Sequence, residues 1–294
     1  MIVVKIGGSN AIQDEPLLDE ISELVAQGER IILVHGGSQE LNELSSQLGH
    51  SPRFVTSVSG YESRFTDRRT LELFTMVYCG RRNKSLVEGL QQRGVNAVGL
   101  SGADGRIFEG ERKEALKIQE NGRKRVLRGD YSGKVQRVNL KLLDTLLDAG
   151  FTPVLCPPAI SIEKSELINV DGDRAAAMLA SAYQADSLVI LTTLPGLLRD
   201  ISGSHASSDN LVSEIDLAQS EHDLRFAKGR MKKKVLGACE AIEQGVGQVI
   251  ISSANREAPL RSALDGAGTR IFHSGRTRRA RTQVPGDATR SVAA

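Results

Sequence analysis

Two stretches of this chain nearly repeat each other: Ile2-Val3-Val4-Lys5-Ile6-Gly7-Gly8-Ser9 and Ile31-Ile32-Leu33-Val34-His35-Gly36-Gly37-Ser38. Each is an apolar run closed by a Gly-Gly-Ser turn, with a helical pattern behind it. Backbone N–H groups of such turns can form an anion nest, glycine permits close approach, and a following helix N-terminus adds partial positive charge. The chemistry this suits is the holding of phosphate. Lys5 points the same way, because a lysine inside an apolar strand is costly to bury unless an anion meets it.

Three further clusters could carry charge to such a site. Arg64, in Ser63-Arg64-Phe65-Thr66-Asp67, precedes a helical pattern with Thr66 or Asp67 as cap. Its planar fork suits a substrate carboxylate, and a surface ion pair would also explain it. In Asn169-Val170-Asp171-Gly172-Asp173, either aspartate could simply cap the helix running through Ala175, Ala176 and Ala177. The run Gly229-Arg230-Met231-Lys232-Lys233-Lys234 opens a helix at the end where the macrodipole disfavours cations, so a nearby anion would explain it. One of these lysines is expected to act while the others are solvated.

Other chemistries lack their residues. No GxGxxG follows the first strand, and Gly129-Asp130-Tyr131-Ser132-Gly133-Lys134-Val135 has the wrong spacing for a Walker A loop. There is no GxSxG elbow, and His35 at a strand end reads as structural. Cys79, Cys156 and Cys239 show no ligand spacing and read as reduced core thiols.

The elements that must position these groups alternate. Strand-like runs fall at about 2–6, 31–35, 95–100, 151–156, 187–192, 247–252 and 269–272. Helical patterns fall near 15–27, 38–48, 67–79, 82–93, 138–149, 173–185, 230–244 and 257–264. This predicts an α/β fold with a mostly parallel central sheet, helices on both faces, and ligands at the carboxyl ends of strands. Both Gly-Gly-Ser turns sit at such ends. One excursion, about 106–136, breaks the pattern: Asn121-Gly122 separates Leu116–Glu120 from Arg123–Arg128 and predicts a projecting β-hairpin. From Glu111 to Arg128 it carries Arg112, Lys113, Lys117, Arg123, Lys124, Arg125 and Arg128 against Glu111, Glu114 and Glu120, a net +4. That is either a charge-protected edge or a docking surface for an acidic partner.

The 294 residues include 40% hydrophobic and 25% charged residues, ordinary for a globular enzyme, and no Trp, which argues against base-stacking surfaces. Residues 274–294, with five arginines and one aspartate, are expected to be a disordered basic tail. No apolar run approaches a membrane span and no leader precedes the first strand, so a cytoplasmic protein is expected.

The ordered set Lys5-x-Gly7-Gly8, His35-Gly36-Gly37, Arg64-x-Thr66-Asp67, Gly99-Leu100-Ser101-Gly102-x-Asp104-Gly105, Asn169-x-x-x-Asp173 and Gly229-x-Met231-x-x-Lys234-Val235 resembles the amino acid kinase superfamily, nearest to the acetylglutamate kinase branch. The resemblance runs from residue 2 to about 272. It implies an open αβα sandwich of two lobes sharing one sheet, residues 1–172 for substrate and 173–273 for nucleotide. It also implies transfer of the γ-phosphoryl group of ATP, with Mg2+, to a side-chain carboxylate. By position, Lys5 and Lys234 would neutralise the transferring group and Asp173 would orient them. Gly7, Gly8 and Ser9, with Leu194, Gly196 and Lys232, would meet phosphate or nucleotide. Gly36, Gly37, Arg64 and Asn169 would hold the substrate, and no protein metal ligands are expected. The physics agrees: a carboxylate is already nucleophilic, so transfer needs alignment and electrostatic stabilisation rather than a strong base.

Departures from the acetylglutamate pattern narrow the acceptor. Glu62-Ser63-Arg64-Phe65-Thr66, Asp171-Gly172-Asp173, the run from Phe74 to Gly80, and Arg128-Gly129-Asp130-Tyr131-Ser132-Gly133 resemble the sister branch. That branch phosphorylates aminoadipate or glutamate attached to a small acidic amino-group carrier protein in lysine, and in some cases arginine, biosynthesis. The basic hairpin, through Lys117, Arg123, Lys124 and Arg125, would then dock the carrier. The alternatives are an N-acetylglutamate 5-kinase and a non-catalytic nucleotide- or amino-acid-sensing module. By the same analogy, the chain lacks the extra N-terminal helix of arginine-inhibited hexamers, so a homodimer without arginine feedback is expected, with no nucleic acid or membrane partner.

Overall fold

The computed structural model describes residues 1–58, 60, 62–120, 123–200, 210–219 and 223–275. The expected runs become β1 (Ile2–Ile6), α1 (Glu15–Ala26), β2 (Ile31–His35) and α2 (Ser38–Gln47). A short hairpin of β3 (Phe54–Thr56) and β4 (Glu62–Arg64) precedes α3 (Arg68–Thr75), a π-helical stretch (Met76–Arg82), α4 (Asn83–Gln92) and β5 (Ala97–Ser101). The excursion holds β6 (Phe108–Arg112), β7 (Ala115–Glu120), β8 (Arg123–Arg128) and β9 (Gly133–Val138). Then come α5 (Lys141–Asp148), β10 (Thr152–Cys156), β11 (Ala159–Ser161), β12 (Leu167–Ile168) and α6 (Gly172–Tyr183). The remainder comprises β13 (Ser187–Thr192), β14 (Leu197–Leu198), β15 (Leu211–Val212), β16 (Glu214–Asp216), α7 (Gly229–Glu243), β17 (Gln248–Ser253), α8 (Pro259–Leu264) and β18 (Thr269–Phe272).

Eight strands form the central sheet in the order β16-β18-β17-β13-β1-β2-β10-β5. Every neighbouring pair is parallel except β17 with β18. Strand order reverses around β1, which lies between β2 and β13, so the crevice at the carboxyl ends of these three strands is the place for a ligand. The period of two sorts side chains between two cores. Ile2, Val4 and Ile6 join α1, α4 and α8 on one face, while Val3 joins α5, α6 and α7 on the other. Lys5 alternates with Ile6 and Val4 and therefore emerges on the α6 face. A third cluster (Leu41, Leu71, Leu73, Phe74, Val77, Tyr78, Cys156) packs α2, α3 and the π-helical stretch beside β10.

The expected seven strands of the sheet and eight helices are present, with ends shifted by up to three residues apart from the helix expected at 67–79. That helix is split into α3 and the π-helical stretch. The basic hairpin is also present. Its pairing runs from Ala115↔Arg128 to Glu120↔Arg123, and the intervening Asn121-Gly122 lies outside the described residues. So do 201–209, in the polar sequence from Arg199 to Asn210 between β14 and β15, and 276–294 of the basic tail. Unforeseen are the β3–β4 hairpin, the β14–β15 pair, β16 at the edge of the central sheet, and a second, four-stranded sheet, β12-β11-β6-β9, whose longer strands β6 and β9 mix polar and apolar residues. A bridge from Ser57 to Ile118, with Val58 N–H donating to Lys117 O at 3.1 Å, sets β3 beside β7. The three cysteines are free thiols.

The two Gly-Gly-Ser turns touch backbone to backbone. A Cβ on Gly8 would lie 2.3 Å from Gly37 N and 2.6 Å from Ser38 N, so no side chain fits there. Gly8→Ala is therefore expected to force the turns apart and cost about 1–3 kcal/mol, as overpacking does. A lowered thermal midpoint would be measured, and an unchanged midpoint would contradict the contact.

Candidate active site

Lys5 and Lys234 share one carboxylate. Lys5 Nζ lies 2.5 Å from Asp173 Oδ1, and Lys234 Nζ donates to Asp173 Oδ2 at 2.5 Å. Lys5 rises from the centre of the sheet and is 6% exposed. Lys234 comes from the second turn of α7, and Asp173 sits in the first turn of α6. The capping question resolves here: Asp171 caps α6, its Oδ1 accepting from Asp173 N at 2.9 Å and Arg174 N at 3.1 Å, which leaves the Asp173 carboxylate to the lysines. Burial pushes the Asp173 carboxyl up, but the two ammonium groups outweigh it and hold it well below the ordinary carboxylate range. Burial and the Lys5 charge lower Lys234, against the pull of Asp173. The trio carries a net +1 out of water, which costs free energy unless an anion joins it. Charge perturbed by burial and by specific partners in a crevice makes the trio a functional-site candidate.

Both glycine turns border this trio, and their amides divide into two groups. Gly7 N–H donates to Leu191 O at 3.1 Å and Gly36 N–H donates to Ile6 O at 3.1 Å, so these two expected anion donors are spent inside the fold. The physical reason is that each residue continues its strand's ladder by one step. Gly8 N–H has no partner among the described residues, and the first-turn amides of α2 have none within the helix. Gly8 O accepts from Gln39 N at 3.0 Å, joining the first turn to α2. Ser9 Oγ accepts from Ala11 N at 3.3 Å and reaches Gln39 at 3.4 Å, which makes it a loop brace in this structure. The Tyr78 ring lies against Gly37, where an added Cβ would meet it at 3.2 Å.

Arg64 ends β4. Its Nη2 donates to Asn42 Oδ1 at 2.6 Å and to Ser38 O at 3.4 Å, and its guanidinium carbon stands 4.9 Å from the Phe54 ring centre. Its Nη1 is buried without a partner among the described residues, an orphaned donor of the kind a ligand carboxylate satisfies. Asp67 caps α3, accepting from Thr70 N at 2.7 Å. Asn169, just after β12, donates from Nδ2 to Thr66 Oγ1 at 2.9 Å.

The other expected residues are placed as follows. Lys232 is exposed on α7, whereas Lys233 is not simply solvated: its Nζ donates to Glu62 O at 2.9 Å and ties α7 to the β4 hairpin. Leu194 is half-buried beyond β13 and packs on the main core, and Gly196 is buried against Thr269. Lys117, Arg123, Lys124 and Arg125 are exposed on the basic hairpin, where Arg125 donates to Glu120 at 2.8 Å. Among the described residues no group of three or more His, Cys, Asp or Glu side chains could hold a metal ion, and no helix is long and apolar enough to cross a membrane. Sequence reasoning missed Asn42, which grips Arg64, and Asp130, which is wholly buried beside Thr66. Asn42 stands in no locally unusual pattern; Asp130 lies in the motif from Arg128 to Gly133, but the sequence alone assigns it no role there.

His35 is fully buried. Asn83 Nδ2 faces its Nε2 at 3.1 Å and its Nδ1 lies 3.0 Å from Gly36 O, so a neutral ring with the proton on Nδ1 satisfies both. This is the structural role expected for it.

Residues 1–253 match the amino acid kinase family. A LysW-aminoadipate kinase from Deinococcus radiodurans is 55% identical over 269 residues, covering 92% of this chain and 90% of that protein. A LysW-aminoadipate kinase from Thermus thermophilus is 51% identical over 271 residues, covering 92% and 99%. Among solved structures, N-acetylglutamate synthase from Neisseria gonorrhoeae with coenzyme A and N-acetyl-glutamate superposes with a TM-score of 0.74 at 23% identity, over 93% of this chain and 59% of that one, a likeness of fold.

Burial holds the His35 pKa down to about 3, the Gly36 carbonyl opposing and Arg82 and Lys5 assisting. The unfolded chain takes up this proton near pH 6.5 and the folded chain does not. Stability should therefore fall as pH drops from about 6.5, by at most about 1.4 kcal/mol per unit from this residue. Asp173 works in a lower window: its folded pKa is depressed, so its contribution is lost only below the ordinary carboxylate range. Urea midpoints between pH 7 and 5 should decline in the native protein and decline less in His35→Asn; equal slopes would mean that the imidazole protonates in place.

Proposed function

The chain belongs to the amino acid kinase family, and on that premise we propose that it transfers the γ-phosphoryl group of ATP to the side-chain carboxylate of L-2-aminoadipate carried on a small acidic amino-group carrier protein. The product is an acyl phosphate. The observation that supports transfer is the buried trio of Lys5, Asp173 and Lys234 at the mouth between two glycine turns. The observations that support this acceptor are the names and identities of the relatives and the exposed basic hairpin. Carrier-bound glutamate, shorter by one methylene, fits the same chemistry, since one methylene is worth only about 1–3 kcal/mol of discrimination.

In this reading Lys5 and Lys234 approach the transferring group from two elements, sheet and helix, and carry the charge that spreads over its oxygens in the transition state. Asp173 keeps both ammonium groups apart yet aimed at one point. The Gly8 N–H and the start of α2 offer hydrogen bonds to phosphoryl and acceptor oxygens, with Gly37 closing the turn. Arg64 and Asn169 bind the acceptor's α-side, Arg64 through its unpaired Nη1. Residues 1–172 form the acceptor lobe and 173–273 the nucleotide lobe, where the segment from Leu194 to Gly196 and Lys232 face the nucleotide. Asp173, with both oxygens engaged by lysines, is a poor magnesium ligand; Mg2+ would be held by the triphosphate and water, as is usual for this ion, and would neutralise phosphate charge. Lys117, Arg123, Lys124 and Arg125 steer the acidic carrier. A cytoplasmic homodimer is the assembly this reading carries.

Incubation with MgATP, hydroxylamine and carrier-bound aminoadipate should give the acyl hydroxamate, with far less from free N-acetylglutamate. No hydroxamate with any acidic amino acid, free or carried, would overturn the reading. Lys5→Ala and Lys234→Ala should each lower kcat by roughly 10²-fold or more, as loss of a transition-state charge does. A raised KM with unchanged kcat would remove that role.

A further inference from the structure

The motif Arg128-Gly129-Asp130-Tyr131-Ser132-Gly133 has no task in the chemistry above, yet it lies at the junction of the parts that bind the acceptor. Asp130 is fully buried, and no basic side chain pairs with its carboxylate among the described residues. Its Oδ1 accepts from Thr66 N at 2.8 Å, and its Oδ2 accepts from Ser132 N at 3.0 Å and from Ser132 Oγ. Arg112 donates from Nε to the Asp130 backbone oxygen at 2.8 Å, and its guanidinium carbon stands over the Tyr131 ring, 3.6 Å from the ring centre. A carboxylate buried among neutral donors is expensive and needs a reason.

The reason lies in what those donors hold. Tyr131 N–H donates to Thr66 O at 2.7 Å, and Tyr131 O accepts from Asn169 N at 2.8 Å. Gly133 N–H then donates to Asn169 O at 2.8 Å. Residues 130–133 thus stitch the Arg64–Thr66 segment on one side to Asn169 on the other, and the Asn169 side chain closes the circuit onto Thr66 Oγ1. Gly133 permits the close packing, since a Cβ there would lie 2.5 Å from Glu111 O. Upstream, β8 of the basic hairpin runs through Gly129, at φ +80°, straight into Asp130.

We propose that Asp130 is the positioning residue of the acceptor site: its carboxylate fixes Thr66 against the 130–132 turn, so that Arg64 and Asn169 stand at one spacing and the basic hairpin keeps one place relative to them. The proposal rests on the acceptor role given above to Arg64 and Asn169. Asp130→Asn keeps the shape but turns an amide toward one set of donors, and it should raise KM for the carrier-bound acceptor about tenfold while KM for ATP stays within twofold. Thr66→Val keeps the main-chain N–H and removes the hydroxyl that receives Asn169. It should act in the same direction but less, and the double variant should raise KM by less than the product of the two. A variant that only loosens the fold would move both KM values together, and that result, or an unmoved acceptor KM, overturns the proposal. Should Asp130→Asn not fold, Thr66→Val and Ser132→Ala carry the test, and an unchanged acceptor KM in both overturns it. Wild-type protein that forms no acyl phosphate with any acidic acceptor overturns the acceptor assignment and this proposal with it; wild-type turnover with unaffected variants overturns this proposal alone.

Discussion

Two ammonium groups held by one carboxylate is the constraint around which the site is arranged. The arrangement needs a lysine on the central strand, a second on α7, and a helix that starts between them. Asp171 meets the last requirement by capping α6, which sets Asp173 in the first turn. There the macrodipole favours the carboxylate and disfavours the two cations beside it. Neutralisation is incomplete by one charge, and that charge sits where water is largely excluded. An anion entering the crevice relieves a cost the fold already bears, so part of its binding energy was invested when the chain folded.

Topology explains why the crevice lies where it does. β1 has β13 on one side and β2 on the other, and successive strands spread outward in both directions. Three strands therefore release their chains into one crevice. Two of those releases are Gly-Gly-Ser turns, which touch each other by backbone alone. Side chains there would widen the floor of the crevice and lift the free amides away from the lysines. The Gly7 and Gly36 amides, spent on the strand ladder, serve by holding the turns shut.

What the sequence shows and hides follows from the range of the interactions. Strands such as Ile31–His35 and helices such as Gly172–Tyr183 announce themselves because burial imposes a period on neighbouring residues. Lys5 announces itself by violating that period. The sharing of Asp173 is harder, because nothing local distinguishes it from Asp171; only the three-dimensional start of α6 assigns one to the cap and the other to the lysines. Asn42 and Asp130 are harder still. Asn42 is a polar residue on an exposed-looking helix, and Asp130 follows a glycine in a loop-like motif, so their partners 22 and 64 residues away leave no trace in the local pattern. The β3–β4 hairpin fails to show for a related reason: three-residue strands have too little length to display a period.

The place of Arg64 bears on the tethered acceptor proposed above. Arg64 pairs with Phe54 across β3 and β4, and β3 in turn bridges to β7 of the basic hairpin. Arg64 is thus separated from the hairpin by a single strand, on a strip that also exposes Phe54, Val58 and Val126. A free metabolite gains nothing from such a connection, since its position is set by the clamp alone. A substrate on a carrier has two anchors, and the tether raises its effective concentration only if docking face and clamp are in register. A spacing error of about 1 Å would be charged against the alignment that phosphoryl transfer requires. With the roles proposed for Arg64 and the basic hairpin, clamp and docking face share one hydrogen-bonded strip, which removes that error at its source and supports the proposed carrier-borne acceptor.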